Sequence, residues 1–295
     1  MSNDKSLFAY SSWDAIPVLA GIGHFVYVLF LFFAFPHLSW WAFVPLALIY
    51  SVSISWNING VSHNFIHNPY FNSPLLNRLF SLLLSLTMAF SQAMYRWVHM
   101  RHHSGNMDRP NEKGVTIDPI SIYRYGKNGM AEHVLAYTFL SYLRDDPPLI
   151  YRKLKKKRPA DARWALIEIG AVVVFYAAML IADWRFVLCM LPFYYFGHSL
   201  SSLNGFYEHF GANPDEPIAW GVSSYGRLYN FLWFNNGYHA EHHYRPKVHW
   251  TKMKELHREI AQQQRAAGVR VIAWSHGLGF LDRSLPSRAA AAARP

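Results

Sequence analysis

Residues 235–246 read NNGYHAEHHYRP, and three histidines within them, His239, His242 and His243, fall at i, i+3 and i+4. On a helix those positions share one face, so the three imidazoles point the same way. Imidazoles gathered like this are costly to bury alone. Protonated rings repel one another, and each neutral ring keeps a donor and an acceptor that need partners. A transition metal meets both demands, because imidazole suits iron, zinc and copper. The same spacing recurs in HMRHH at His99, His102 and His103, and an H-x-x-x-H stands in SHNFIH at His63 and His67. These eight histidines exceed the four ligands of a tetrahedral zinc site and fit two metal ions with four or five ligands each. His209, in LNGFYEHFG, is a ninth candidate.

The rest of the chain explains how such distant clusters could meet. It has 295 residues, a formal charge of +10, 52% hydrophobic and only 16% charged residues. Its apolar residues come in long blocks, the composition of an integral membrane protein. A spanning helix needs roughly 20 mostly apolar residues, and four stretches qualify, near residues 16–35, 40–58, 164–182 and 186–203. The links PHLS and DWR inside each pair are very short, which predicts two helical hairpins. Of 28 Lys and Arg residues, 15 lie between Asn59 and Arg163 and 11 after Gly226. The positive-inside rule places both segments in the cytoplasm, and four spans put the N-terminus there too. The segment MSNDKSLFAYSSWDAIP does not read as a cleaved signal peptide. The single cysteine, Cys189, cannot form an intrachain disulfide and implies no oxidising compartment.

Two further apolar stretches are too short to cross. Leu76–Trp97 has an apolar core of about 12 residues. If it crossed once, His99 would emerge on the opposite face from His63, so it is expected to lie along the interface or dip into it. Trp220–Tyr238, rich in aromatics, is read the same way. The basic run YRKLKKKRPADAR abuts the third span and reads as a contact for anionic lipid headgroups rather than nucleic acid. One domain is expected over residues 1–283, with a disordered low-complexity tail at 284–295. Among the other histidines, His24 reads as a polar link between helices. A continuous helix would place His198 on nearly the same face as His209, as a hydrogen-bonded structural residue. His37, His133, His249, His257 and His276 read as surface or interface groups.

The three clusters in this order, between two hairpins, resemble the membrane fatty acid desaturase and hydroxylase superfamily, over about residues 16–260. The resemblance implies an all-α integral membrane fold: four transmembrane helices under a cytoplasmic helical cap that holds a diiron site. Carried over by position, the iron ligands would be His63, His67, His99, His102, His103, His239, His242 and His243, and His209 matches an extra histidine between the second and third clusters. Asn64, Asp108, Asn204, Glu208 and Glu241 each sit within a few residues of a ligand and are candidates to orient the rings. GYHAEHH resembles acyl-lipid desaturases, with His239 where front-end desaturases carry glutamine, whereas NGFYEHFG is similar to a phrase of membrane alkane hydroxylases.

The chemistry that the resemblance implies is O2-dependent: a reduced iron pair would react with O2 to give an oxidant able to remove hydrogen from an unactivated methylene, and the outcome would be an alkene or an alcohol. The leading expectation is desaturation of a long fatty acyl chain, whether lipid-, CoA- or carrier-linked. The alternative is hydroxylation of acyl chains, alkanes or carotenoid-like lipids. No fused heme segment is visible in the sequence, so a separate ferredoxin, rubredoxin or cytochrome b5-type donor is expected, drawn by the basic cap. Trp56, Tyr95, Trp97, Tyr207 and Trp233 could line a substrate cleft or serve as interface anchors. The expected setting is a bacterial inner membrane with both termini cytoplasmic. A metal transporter would hold its ion at mid-bilayer on broken helices. A zinc protease would carry H-E-x-x-H, where this chain has H-N-F-I-H.

Overall fold

The computed structural model describes residues 6–104, 108 and 116–286. Among them the regular structure is helical, apart from isolated bridges at Phe8–Phe71 and Ser223–Val271. The helices used below are, in chain order, α1 Ala15–Ala34, α2 Trp40–Trp56, α3 His63–His67, α4 Pro74–Met88, α5 Gln92–His102 and α6 Val134–Leu140. They continue as α7 Pro147–Lys157, α8 Pro159–Ala182, α9 Trp184–His209, α10 Arg227–Leu232, α11 His239–Tyr244 and α12 Met253–Ala266. The chain forms two compact units, Met1–Trp97 with Asp146–His198, and Val98–Asp145 with Ser199–Pro295.

The first unit contains the long apolar helices, α9 up to His198. Among the described residues, four helical stretches are long and apolar enough to cross a membrane: Ser12–His37, Trp40–His67, Pro159–Ala182 and Trp184–His209. Only 17% of the apolar window of α8 is buried inside the protein, so Val173, Val174 and Ile181 face outward as lipid-contacting residues do. Leu31, Phe43, Ala47, Ile54, Met88 and Met179 make the core between helices. Polar side chains there are satisfied across helices, as a water-poor interior requires. His24 meets Ser53 Oγ at 2.8 Å and Asn57 Nδ2 at 3.0 Å, the polar link expected of it. Ser51 donates to the Phe193 carbonyl at 2.7 Å. His198 is buried against Tyr194 and Phe90.

Two helix ends differ from the sequence expectation. The second apolar helix does not stop near Ile58. It widens into a π-turn at Asn57–Ser62 and continues as α3. The polar residues of that turn bond locally, Ser62 to Asn57 at 2.8 Å and Asn59 to the Ser55 carbonyl at 2.9 Å, which lets the wider turn stay buried. Likewise α9 runs on to His209 rather than ending near Leu203. Between α4 and α5 the chain bends by 93°, with Ala89 left-handed at φ 55°. The stretch Trp220–Tyr238 holds only the six-residue α10.

In the second unit α12 presents Met253, Leu256, Ile260 and Gln264 inward, the i, i+3, i+7, i+11 stripe of an amphipathic helix. Its apolar residues pack with Ile218 and Tyr238, and a second cluster gathers Ile122, Phe206, Tyr207 and Phe210. His249 and His276, read from sequence as surface or interface groups, are both buried. His276 is enclosed because its ring is bonded on both sides, to the Val222 carbonyl at 2.9 Å and Tyr229 at 3.0 Å. Of the tail, Ser284 bonds Asp282 and accepts from Arg270, while 287–295 lie outside the described residues.

Candidate metal centre

Each histidine cluster sits on a short piece of helix that aims its rings together. In the first unit, α3 carries His63 and His67 with ring centroids 5.1 Å apart. In the second, the last turn of α5 supplies His99 and His102, and His103 follows with its N–H still bonded to the His99 carbonyl. His209 ends α9, and α11 carries His239, His242 and His243.

Within the second unit these rings converge as two groups. His102, His209 and His243 offer ring nitrogens that all lie within 4.8 Å of one another, and so do His99, His103 and His242. His102 and His239 Nε2 lie 3.0 and 3.2 Å from His209 Nε2. His103 Nε2 lies 2.9 Å from His99 Nε2 and 3.1 Å from His242 Nε2. Metal–imidazole bonds of about 2.0–2.1 Å subtending about 90–109° hold their nitrogens about 2.8–3.4 Å apart, so these separations suit rings sharing one ion. His243 Nε2 is buried with no hydrogen-bond partner among the described residues, a cost that a metal bond removes. Burial first, and neighbouring imidazoles second, push His239 and His243 well below the usual histidine range, which keeps them neutral for ligation.

Around the rings stands a layer of hydrogen bonds. Asp118, fully buried, meets His102 Nδ1 at 2.5 Å and accepts from the Ile120 N–H at 3.0 Å. This carboxylate fixes the proton on Nδ1 and leaves Nε2 for the cluster. Sequence reasoning missed it, since TIDPI offers no signal beyond an acid in a loop. Asp108 reaches within 3.6 Å of His209 Nδ1, and its pKa is raised to about 6 by burial and then by Asp118. Glu208 is held by Asn204 at 2.8 Å and Asn236 at 2.7 Å and lies 3.7 Å from His239 Nδ1. Because His276 Nε2–H donates to Val222, its Nδ1 accepts from Tyr229, whose hydroxyl also takes a bond from Asn236.

Glu241 does something different. Although it lies between ligand candidates on α11, its carboxylate accepts from Ser223 at 2.7 Å, Tyr225 at 2.8 Å and His257 at 2.6 Å. It anchors the back of α11 and holds the ring of His257 rather than that of a ligand candidate. Asn64 is half-buried beside His63 on α3. Of the aromatic candidates, Tyr207 is buried in the Phe206–Phe210 cluster, Tyr95 bonds the Ile58 carbonyl at 3.3 Å, and Trp233 packs on Tyr229.

Among the described residues the regular structure is helical, four helices are apolar and of membrane length, and imidazoles converge, which is the build of a membrane protein with a histidine cluster able to hold metal. The chain belongs to the fatty acid desaturase family, whose profile matches residues 38–275. Curated relatives include sphingolipid delta(4)-desaturase DES1-like proteins of Arabidopsis thaliana, 23% identical, and of rice, 25% identical, each aligned over 76% of this chain. The sphingolipid delta(4)-desaturase of Schizosaccharomyces pombe is 26% identical over 76% of the chain. The chain spans just under two thirds of the length of these relatives, 64%, 66% and 62% respectively.

Proposed function

We propose that this chain is a membrane diiron enzyme that uses O2 to desaturate a long hydrocarbon chain of a lipid. The observation that carries the reading is the convergence of imidazoles, all buried except the half-buried His103, with Nε2 atoms 2.9–3.2 Å apart. One iron would be held by His102, His209, His239 and His243, and the other by His99, His103 and His242, with His63 and His67 as the remaining ligands that the family resemblance implies. Bound iron would supply O2 reduction and removal of hydrogen from unactivated methylenes. The protein's part is to hold the rings in one tautomer. Asp118 keeps a proton on His102 Nδ1, and Glu208 and Asp108 stand near Nδ1 of His239 and His209.

The relatives' names support desaturation over hydroxylation and extend the substrate class to sphingolipid chains. They come from plants and a yeast, so they lend no support to a bacterial inner membrane. A cytoplasmic cap over two hairpins, with acidic ferredoxin, rubredoxin or cytochrome b5-type donors drawn to its basic surface, completes the proposal.

The test is to express the chain with a donor, purify it and analyse metal and lipids together. About two irons per chain and a lipid product lighter by two mass units support it, both numbers following from the atoms involved. A product heavier by sixteen units moves the reading to hydroxylation, and one zinc with unchanged lipids overturns it.

A further inference from the structure

Glu168 is the acidic residue inside the apolar stretch of α8, whose other acid, Asp161, sits in its first turn beside Arg78 and Arg158. Glu168 is fully buried within a helix otherwise suited to lipid, where a carboxylate is expensive unless its oxygens are satisfied. Its hydrogen bonds go to the α4–α5 pair, to Ser81 in the middle of α4 and to Ser91 and Ala93 at the elbow and the start of α5. Ser81 donates to Oε1, Ser91 donates to Oε2 at 2.6 Å, and the Ala93 N–H donates to Oε2 at 3.0 Å.

The elbow creates a specific demand. A helix leaves its first N–H groups without intrahelical acceptors, and at this buried elbow, around Ser91, Gln92 and Met94, water does not replace them. Here each finds one. Gln92 N–H donates to Ser85 Oγ at 3.1 Å, Ala93 N–H to Glu168, and Met94 N–H to Ser91 Oγ at 3.2 Å. Tyr95 N–H then opens the regular ladder on the Ser91 carbonyl at 3.0 Å. Ser85 lies on α4 and Ser91 in the elbow, so of these three capping acceptors Glu168 is the one supplied by a helix outside the α4–α5 pair. Its carboxylate also sits at the positive end of the α5 dipole.

We propose that Glu168 is a positioning residue that sets the direction of α5 and, through it, the placement of His99, His102 and His103. The inference rests on reading those histidines as metal ligands. At 1.5 Å rise per residue, His99 lies about 10 Å along the helix from Gln92. A tilt of about 10° would therefore move it by about 2 Å, roughly ten times the ~0.2 Å tolerance of a metal–nitrogen bond.

The experiment uses the full chain in nanodiscs, with wild type, Glu168→Leu, Glu168→Gln, Glu168→Asp and His102→Ala. Fe(II) affinity is measured by chelator competition, the Co(II)-loaded absorption spectrum reports ligand geometry, and apo-protein thermal unfolding reports folding. Glu168→Leu is expected to hold Fe(II) at least tenfold more weakly, with an altered Co(II) spectrum. Glu168→Gln, which keeps one oxygen for Ser91 and Ala93, restores both. Glu168→Asp, charged but one methylene short, weakens binding even if the leucine variant does not fold. Wild-type affinity and spectrum in a folded Glu168→Leu overturn the inference, and so does wild-type behaviour of Glu168→Asp where the leucine variant is unfolded. If His102→Ala loses no metal, the ligand reading itself fails. If it loses metal while the Glu168 variants do not, only the positioning role fails.

Discussion

Asp118 offers the sharpest check on the metal centre. Its contact with His102 is short, at 2.5 Å, and the side chains of His102 and Asp118 are 4% and 0% exposed, so neither group can replace the other with water. A buried hydrogen bond to a charged group is worth about 1.5–3 kcal/mol, and losing an outer-shell partner of a ligating histidine costs about 10–100-fold in metal affinity. At about 1.4 kcal/mol per tenfold the two estimates agree. Asp118→Ala is therefore expected to weaken Fe(II) binding by about 10–100-fold. Asp118→Asn is expected to do at least as much. If the amide nitrogen faces His102, it forces the ring proton onto Nε2, the atom needed for the metal. If it faces Ile120 instead, two N–H donors meet where Ile120 N–H now finds an oxygen. The assay is anaerobic chelator competition on detergent-solubilised protein, with apo-protein unfolding measured alongside. Folded Asp118→Ala and Asp118→Asn variants that both bind Fe(II) within about twofold of wild type would refute the reasoning.

Four other outcomes follow from the structure. Glu241→Leu strands the Ser223 and Tyr225 hydroxyls and is expected to lose at least about 2 kcal/mol of stability in denaturant titration, with Glu241→Gln losing much less. The hydrogen bond to Glu241 raises the His257 pKa above 6.5. Its stabilisation is therefore complete below that value and lost as pH rises through the higher folded value, so unfolding temperature should fall between about pH 6 and pH 8 in wild type and less in His257→Gln. A Cβ on Gly237 would meet the Ser224 carbonyl oxygen at 2.2 Å, so Gly237→Ala should cost about 1–3 kcal/mol by overpacking, whereas Gly170→Ala, with nothing within 4 Å, should be close to neutral in the same titration. Removing metal with a chelator should lower the unfolding temperature, equivalent to about 4 kcal/mol at a thousandfold excess over Kd, and His102→Ala should show a much smaller holo–apo difference in calorimetry.

Much of this was legible in the chain before folding. Long apolar runs must become helices, because lipid leaves backbone groups no other partner, and all four runs form helices of membrane length. The i, i+3, i+4 spacing decides that His99, His102 and His103, or His239, His242 and His243, face one way, because helical geometry is local. The same locality made His24, inside an apolar run, readable as an interhelix polar link.

What remained hidden were relations that no local period encodes. Asp118 reaches His102 across 16 residues and Glu168 reaches Ser81 across 87, and a lone acid in a loop or a span looks the same whether paired or not. His257 and His276 read as surface or interface groups until α12 and the turn after it folded against Glu241 and Tyr229. The π-turn at Asn57–Ser62 is likewise a tertiary decision, since local bonds from Asn59 and Ser62 offset its geometry only where the surroundings are buried. Sequence alone determined which residues could bind a metal and which segments could enter a membrane. Tertiary structure decided which acid holds which ring, because burial and hydrogen-bond pairing exist only once distant segments share one interior.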